Sequence, residues 1–512
     1  MTIRELWSRA RSFSVLTAAC IAIQMLVPAS ANAQVDAVLN LMDRVGGQTL
    51  IDSNVGQAGI AINTICLQLG NASPTAESAE LGARCGELVL TSDALNGGTL
   101  PNLLGYERDD DVLAAFQQVN GEEVQAAASF SQNASYEQFS NIAARLGALR
   151  GTTGASVASV AANGTQMMFG SGGGAAADSP FGPWGWFIRG TYVTGDRDPS
   201  NTSNFTGAEN GFDFDQYGVT IGIDRFAGSS VWGFALGYTA YDIEMQTANV
   251  GRPIDNQAVD GGDIETDTVH GTFYFDFNND SNAYFTVLAG YGSQSLDMTR
   301  NYIYVSNTMG VDDQTRLLSG DPDGDSIAGS IALGKIYQNG GWVFEPRIGL
   351  SYDRLNVDRF TEVDSGNQEA GTPTVSAMQL AFDEQTIDSF RANIGLQFHG
   401  NINTGFGSVR PMFSLDYYRE FEDDAREIKV KYALEDQLAG DNPGGPFGSG
   451  FDGCLSCFKL TSDAPDSGFY VVGLGIAAMY RNGIQAFLMY ESLIDYDDLS
   501  SNALTLGLRG HF

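Results

Sequence analysis

An acidic turn in the second half of the sequence has the spacing of a calcium-binding loop. Asp321, Asp323 and Asp325 occupy the first, third and fifth positions, where carboxylate oxygens would meet the ion. Ser326 stands at the sixth position instead of glycine, and Ala332 stands at the twelfth instead of glutamate. The sequence therefore predicts at most a weak divalent-cation site in this loop, and a solvated acidic turn is the simpler interpretation.

A serine motif overlaps the same stretch. Residues 324–327 read Gly-Asp-Ser-Ile, which is similar to the nucleophile motif of GDSL-type esterases. A nucleophilic serine needs a base, and the only histidines are His270, His399 and His511, in or beside strands predicted below. The chain is also too short to contain the α/β domain of such an esterase. We therefore expect Ser326 to be structural, and the sequence predicts neither an enzyme nor a cofactor.

Four cysteines lie downstream of a predicted export signal. Cys454 and Cys457 have redox-motif spacing, but they lie in a Gly/Pro-rich stretch rather than at a helix N-terminus. An even count in an exported chain indicates disulfides. Local pairing, Cys66 with Cys85 and Cys454 with Cys457, is the simplest of three connectivities. A zinc site built from all four would need distant segments to meet.

The first 33 residues have the three parts of a secretory signal peptide. Three arginines precede an apolar run over residues 13–27, and residues 31–33 form a small-x-small cleavage site before Gln34. A retained anchor helix is the alternative, but the run is short for a bilayer span. The sequence therefore predicts an exported protein.

The mature chain is strongly acidic. The formal net charge of the full 512-residue chain is −35 at pH 7, and such a charge argues against nucleic-acid binding, which needs a basic face. Acidic pairs such as those at 312–313 and 423–424 lie between predicted strands, which indicates a solvated outer rim. Beyond the signal, no segment offers about 18 consecutive apolar residues, so no helical membrane span is predicted.

From residue 184 onward the hydrophobic period changes to two, which is typical of strands with one apolar face. Tyr470 and Tyr480 lie ten residues apart on one such strand. At about 3.3 Å per residue and a tilt near 40°, they span roughly 25 Å of depth, the height of the apolar band of an outer-membrane barrel. Twelve strands are predicted, at about 185–195, 213–226, 230–242, 264–277, 283–296, 325–338, 341–356, 385–400, 406–420, 468–480, 484–496 and 502–512.

The connections between these strands alternate in length. Short turns follow every second strand, as at Gly228-Ser229 and Asn339-Gly340, and long loops follow the others, with the longest at 421–467. Outer-membrane barrels have short periplasmic turns and long outer loops. A soluble β-sandwich also has many short strands, but it does not explain this alternation together with the signal peptide and the final residue. The last strand ends on Phe512, which resembles the C-terminal assembly signal of outer-membrane barrels.

The predicted fold is therefore all-β: a 12-stranded antiparallel transmembrane β-barrel over 184–512, preceded by a helix and a small N-terminal mixed or helical segment. Residues 34–110 form that segment, in which the stretch 60–69 fits either a helix or a strand. Residues 111–150 read as the pre-barrel helix. Residues 151–183 are rich in glycine and alanine, which predicts a flexible linker.

Strand parity directs a set of charged side chains toward the lumen. Buried charges in a barrel must be paired or hydrated, so we expect them to bond to one another or to a helix in the pore. Glu122, Glu123 and Glu137 are the expected helix partners. A salt-bridge lattice without any role in transport is the alternative for each residue singly. The predicted lumen charges are Arg189, Glu345, Arg347, Arg391, Arg410, Asp416 and Arg509.

Two stretches resemble the translocator domain of type V secretion autotransporters. Residues 114–128 read AAFQQVNGEEVQAAA, similar to the family's pre-barrel helix, which is broken by a Ser/Asn-Gly-Glu turn; the stretch continues to Arg145 and Arg150 like that family's helix end. Residues 185–190 read GWFIRG, similar to the family's first strand, with Arg189 facing the lumen. The resemblance covers residues 111–512.

This resemblance implies a translocator in the outer membrane of a Gram-negative bacterium, which anchors and exports its own short N-terminal segment. The implied partners are outer-membrane lipid, lipopolysaccharide and the barrel-assembly machinery. The family usually carries a large β-helix passenger, whereas only residues 34–110 stand in that place here, without a repeat of 20–50 residues. The alternative function is a porin-like channel whose N-terminal segment stays in the periplasm.

Overall fold

The structure, a computed structural model, describes residues 37–69, 76–121, 123–150, 184–199, 205, 211–246, 261–304, 314–364, 378–441, 445–480 and 484–511. The predicted signal peptide, the linker at 151–183 and Phe512 lie outside the described residues. Among the helices of the described part, none is long and apolar enough to cross a membrane. The helices are α1 (Ala37–Asp52), α2 (Asn54–Leu69), α3 (Ala76–Leu95), α4 (Asp109–Gln118), α5 (Glu123–Arg150) and α6 (Leu434–Asp441).

The strands follow the predicted order, with several short additions. They are β1 (Trp184–Arg197), β2 (Phe212–Ala227), β3 (Ser230–Met245), β4 (Asp263–Asn278), β5 (Ala283–Tyr304), β6 (Gln314–Gly320), β7 (Asp323–Lys335), β8 (Tyr337–Asn339), β9 (Trp342–Val357), β10 (Phe360–Thr361), β11 (Val363–Asp364), β12 (Leu380–Phe382), β13 (Gln385–Gly400), β14 (Ile402–Thr404), β15 (Gly407–Glu420), β16 (Glu427–Tyr432), β17 (Phe458–Thr461), β18 (Gly468–Tyr480), β19 (Gln485–Ile494) and β20 (Leu499–His511).

Twelve of these strands form one closed antiparallel barrel. In barrel order they are β1 to β5, β7, β9, β13, β15 and β18 to β20, each paired with the next. β1 closes the cylinder against β20, with Gly190 opposite Leu506. Closure removes the unpaired strand edges that lipid cannot solvate. The predicted fold class is confirmed.

The four helices α1 to α4 form a small helical domain at the long-loop end of the barrel, which we call the cap. Val38, Ile62 and Phe116 are among the fully buried side chains of its core. The ambiguous stretch 60–69 lies in helix α2, so the described part of the N-terminal segment is helical rather than mixed. A disulfide joins Cys66 of α2 to Cys85 of α3, with 5.6 Å between their Cα atoms.

The long loops around residues 358–384 and 421–467 contain a second sheet, which the sequence did not indicate. The strands β10, β12, β16 and β17 pair in that order, and we call them the outer sheet. The amide of Asn54 on α2 donates to the carbonyl of Thr461 at 3.0 Å and accepts from its N–H at 2.7 Å. The cap therefore docks on the edge of the outer sheet through a side chain that imitates a strand.

Candidate functional site: the plugged lumen

Helix α5 lies inside the barrel and contacts strands β3, β4, β5, β7 and β9. Phe139, Ile142 and Leu146 form an apolar stripe at helical spacing, and they pack with Phe187 and Tyr274 of the wall in one buried cluster. The break before α5 occurs at Gly121, whose φ of +74° is easily adopted only by glycine. The predicted pre-barrel helix is therefore two helices, with α4 in the cap and α5 in the lumen.

Glycines on the wall let the helix approach closely. A Cβ atom on Gly237 of β3 would lie 2.7 Å from Oε1 of Gln138, which is closer than real Cβ contacts allow. A Cβ atom on Gly218 of β2 would likewise lie too close to Oε1 of Glu137. The wall is therefore recessed on the side along which the helix runs.

The helix carries two arginines that form ion pairs with the wall. Arg145 donates from Nε and Nη2 to both carboxylate oxygens of Asp224, at 2.8 and 3.0 Å. Arg150, at the end of the helix, donates to Asp276 at 2.5 Å and to Glu345 at 3.4 Å. All five side chains are buried. These bidentate and branched pairs satisfy charges that would otherwise be costly in a space with little water.

These ion pairs have the opposite polarity to the one expected. The sequence interpretation assigned helix carboxylates to wall arginines, but in these pairs the helix supplies the arginines and the wall supplies the carboxylates. Glu137 accepts hydrogen bonds from the neutral side chains of Gln216 and Thr239. Glu123 lies at the long-loop end, and Glu122 lies outside the described residues. Asp224 and Asp276 were missed, although strand parity alone could have directed them into the lumen.

On the far wall of the lumen, the charges pair with one another. Arg347 donates two hydrogen bonds to Asp416, at 2.9 and 2.6 Å. Arg391 donates to Glu420 at 2.8 Å. Four of the predicted lumen residues are thus in ion pairs, one of them (Glu345) with the helix. The remaining three, Arg189, Arg410 and Arg509, also line the lumen. Arg410 donates to Oδ1 of Asn401 at 2.9 Å, and the contacts of Arg189 and Arg509 are described below.

Most of the barrel sequence is matched by a family model. The autotransporter beta-domain model covers residues 186–491, which is more than half of the chain. The chain belongs to the autotransporter beta-domain family. Autotransporter β-domains are translocator barrels that reside in the bacterial outer membrane.

Solved structures of autotransporter barrels are similar in fold. The translocator domain of NalP from Neisseria meningitidis is 12% identical, with a TM-score of 0.44, and the match covers 74% of this chain and 98% of that one. The β-domain of the Bordetella autotransporter BrkA is 17% identical, with a TM-score of 0.38, over 64% of this chain and 100% of that one. Among curated proteins, no sequence matches this chain.

The other motifs of this autotransporter chain have structural positions. Ser326 lies in β7, is buried, and has its hydroxyl 3.4 Å from that of Ser135 on the helix. Asp323 and Asp325 also belong to β7 rather than to a loop, and no cluster of three or more metal-ligating side chains occurs among the described residues. Cys454 and Cys457 are disulfide-bonded in the long loop that carries the outer sheet.

The junction between the cap and the barrel is a buried ion pair. Arg300, near the long-loop end of β5, donates to both carboxylate oxygens of Glu362, at 2.9 and 2.6 Å. It also donates to the backbone carbonyl of Gln118, the last residue of α4, at 2.8 Å. Glu123 lies beside this pair, and its burial raises the pKa of the carboxyl to about 7, against the attraction of Arg300. Arg300 thus joins barrel, loop and cap.

Proposed function

We propose that the barrel exports its own N-terminal segment and retains it as the cap on the outer face, while α5 seals the lumen. The observation that carries this proposal is the path of the chain. The cap meets the long loops, α5 runs the length of the lumen, and Arg150 reaches Asp276 and Glu345 beside the short turns. Since outer-membrane barrels direct long loops outward, this path supports passage of the N-terminal segment through the pore.

The contacts between cap and barrel support retention rather than release. Arg300 ties Gln118 to the barrel, Arg316 forms an ion pair with Glu80 at 3.3 Å, and Asn54 pairs with the outer sheet. The apolar core of the cap is continuous with apolar side chains at the ends of the barrel strands. Separation would therefore expose apolar surface and leave buried charges unpaired.

The porin-like alternative is less consistent with these contacts. A channel needs a water-filled path, whereas α5 packs an apolar cluster and two arginines against the wall. We also take the barrel to be non-catalytic, because Ser326 is a buried wall residue in contact with the plug helix. Export and anchoring of the cap therefore remain the proposed activity.

Thiol labelling of intact cells tests this topology. The four cysteines at 66, 85, 454 and 457 are disulfide-bonded, so a new cysteine would be the reactive thiol. Asp43 is exposed on α1 of the cap, and Asp280 is exposed in a short turn of the barrel. A membrane-impermeant maleimide should label Asp43→Cys on intact cells, and it should label Asp280→Cys only after the outer membrane is permeabilised.

The matched pair makes the outcome unambiguous. If Asp43→Cys is protected until permeabilisation while the barrel is assembled, the N-terminal segment lies in the periplasm and the channel alternative replaces the translocator. If both sites are labelled on intact cells, the short turns do not face the periplasm and the orientation itself is wrong. Heat-modifiable mobility of each variant on gels is the control for assembly.

A further inference from the structure

Arginines of the barrel wall also line a cavity beside the plug helix. A cavity of about 70 Å³ lies between α5 and the wall. Arg189, Arg410 and Arg509 line it from the wall, and Asn141 and Arg145 line it from the helix. Arg145 is already paired with Asp224. The wall arginines therefore dominate the charge of the cavity.

Arg189 and Arg509 are bonded to neutral groups. Arg189 donates from Nη1 to the backbone carbonyl of Asn141 at 2.6 Å, and its guanidinium lies 4.4 Å from the ring centroid of Phe487. Arg509 donates from Nε to Oε1 of Gln485 at 2.5 Å. Both arginines are buried, each at 6% exposure. Neutral acceptors satisfy hydrogens but do not compensate the charge of a buried guanidinium.

Other arginines of the lumen differ from Arg189 and Arg509 because each forms an ion pair with a carboxylate. Arg145, Arg150, Arg347 and Arg391 each have a carboxylate within 3.0 Å. Around the cavity, Glu491 is the one carboxylate among the lining residues, and it faces several arginines. The described wall thus carries an excess of positive charge at this depth, which burial makes costly unless an anion compensates it.

Some residues that line the cavity have side-chain nitrogens to which the described residues offer no hydrogen-bond partner. Among the described residues, Nε of Arg189 and Nη1 of Arg145 have no hydrogen-bond acceptor, and both side chains are more than nine-tenths buried. The ring nitrogen Nε2 of His399, which also lines the cavity, likewise has no hydrogen-bond partner in the described part of the chain. A single acceptor placed among these nitrogens would supply the hydrogen-bond partner that they lack.

We propose that this cavity binds a small inorganic anion, with chloride as the simplest example, between Arg189 and Arg509. A cavity of this size holds a few water-sized bodies, which suits a small inorganic anion. The anion also meets Arg145 on the helix, and it therefore attaches the plug to the wall in addition to the pair formed with Asp224. This role requires only that α5 is in the lumen, whichever way the N-terminal segment crossed.

Bromide identifies the site directly, because it replaces chloride and scatters anomalously. Crystals of the full-length protein grown in sodium bromide should show one anomalous peak in the lumen, within hydrogen-bonding range of the guanidinium groups of Arg189 and Arg509. The peak should disappear in Arg509→Gln and persist in Arg354→Gln. Arg354 is the matched control because it is an exposed barrel arginine paired with Asp388. A lumen without a bromide peak in the unaltered protein would overturn the proposal.

Thermal unfolding gives an independent measurement on the unaltered chain. At constant ionic strength, replacing gluconate with chloride should raise the unfolding midpoint by several degrees, since a ligand that binds only the folded state stabilises it by mass action. Arg189→Gln and Arg509→Gln should lose most of this chloride dependence, whereas Arg354→Gln should retain it. Equal midpoints in chloride and gluconate for the unaltered protein would contradict anion binding, even if both variants folded poorly.

Discussion

Along strands β2, β3 and β4, the face that carries apolar side chains changes from outward in one region of the molecule to inward in another. In the first region, the membrane belt, outward side chains are apolar, with Ile221 at 56% and Leu236 at 68% exposure, and the inward Thr220 is buried. In the second region, toward the long loops, the outward side chains are acidic. There the inward Ile243 and Ile264 are completely buried. We call this second region the vestibule.

The vestibule rises above the belt because its strands are long. β5 has 22 residues, and at a tilt near 40° it rises roughly 55 Å, about twice the ~25 Å apolar band of an outer-membrane barrel. Its inward apolar side chains belong to the same core as the cap. They are Phe212, Phe214, Tyr241, Ile243, Met245, Ile264, Leu296 and Met298. The outward carboxylates of this region include Asp213, Asp242, Glu244, Asp263 and Glu265.

The difference teaches that strand parity sets which way a side chain points, while the surroundings set which polarity is stable there. Lipid surrounds the belt, so apolar residues face outward and the polar lumen holds the arginines of the plug. Water surrounds the vestibule, so carboxylates face outward, and the cap supplies an apolar interior. Tyr217 and Tyr238 lie near the crossover, at 57% and 47% exposure.

The largest effect is expected from a truncated chain that begins at Pro183. It keeps the twelve strands but loses both the plug and the cap, so it opens the polar lumen and exposes the apolar vestibule. In planar bilayers it should conduct severalfold better than the full-length protein. It should also bind a hydrophobic fluorescent dye that full-length protein does not bind. Equal conductance of the two proteins would mean that α5 does not fill the lumen.

In the lumen, breaking one buried ion pair should loosen the plug. Arg145→Ala leaves the carboxylate of Asp224 buried without a cation, which costs about 3–5 kcal/mol. Full-length Arg145→Ala should therefore show frequent channel openings in planar bilayers. Adding Asp224→Asn should reverse part of the effect. Arg354→Ala removes an exposed pair worth about 1 kcal/mol at most, and it should leave the conductance unchanged.

Two charged substitutions should separate the regions. Leu236→Arg places a charge on the lipid face, which costs about 2–4 kcal/mol near the membrane midplane, and it should reduce the heat-modifiable barrel in outer-membrane fractions. Ile243→Asp buries a carboxylate in the vestibule, and it should instead make the cap sensitive to protease while the barrel assembles normally. If both variants show the same defect, the reversal of polarity has no consequence for stability.

The recessed wall offers a smaller, steric test. Leucine at Gly237 would overlap Gln138 of the plug, and overpacking of this kind typically costs about 1–3 kcal/mol. Gly271 is the control because it faces outward, and its nearest neighbour, a side-chain atom of Leu236, would be at an ordinary 3.9 Å. Gly237→Leu should increase channel openings and Gly271→Leu should not. Equal openings in both would show that the flexible side chain of Gln138 moves aside and that Gly237 is not needed for the packing of the helix.

The smallest effect concerns pH at the junction of cap and vestibule. Burial raises the pKa of Glu123 from its ordinary value of about 4.5 to about 7 in the folded protein. The folded state therefore binds the proton more strongly, so cap docking is most stable at acidic pH and weakens as pH rises from about 4.5 to 7. We expect cap docking to lose about 1–2 kcal/mol of stability over this range. This is less than the full pKa shift implies, because Glu123 is half-buried and water screens part of the effect.

Protease sensitivity of the cap, measured between pH 5 and pH 8, checks this expectation. It should increase with pH in the unaltered protein. Glu123→Gln cannot ionise, so its cap should be equally resistant at both pH values and more resistant than the unaltered cap at pH 8. A cap that becomes more sensitive toward acidic pH would contradict the assignment, since that direction requires a carboxylate with a lowered pKa.

Much of the barrel could be predicted from the sequence, because a strand's period of two and its turn residues are local signals. The strand predicted at 385–400 has the same bounds in the structure, and the strand predicted at 468–480 does as well. The outer sheet could not be predicted. β10 and β12 have only two and three residues. β10 pairs with β12 some twenty residues away, and β12 pairs with β16 some fifty residues away, so their pairing depends on contacts that no short window contains.

The site shows the same division. Strand parity alone was enough to direct Arg347 and Asp416 into the lumen, but their partners depend on geometry. Arg145 meets Asp224 because α5 enters to a particular depth and with a particular rotation, and neither is written in the helical period of α5. For the same reason, the sequence could not show that Glu137 accepts hydrogen bonds from Gln216 and Thr239.

By itself, the sequence determined which side chains share a face, where strands turn, and the twelve-stranded membrane barrel, since these follow from backbone geometry and the width of the bilayer. Only the tertiary structure decided that apolar residues at the upper strand ends face a cap rather than lipid, and that helix arginines meet wall carboxylates. The physical reason is that burial and ion pairing are properties of two surfaces in contact, and a strand's own pattern describes only one of them.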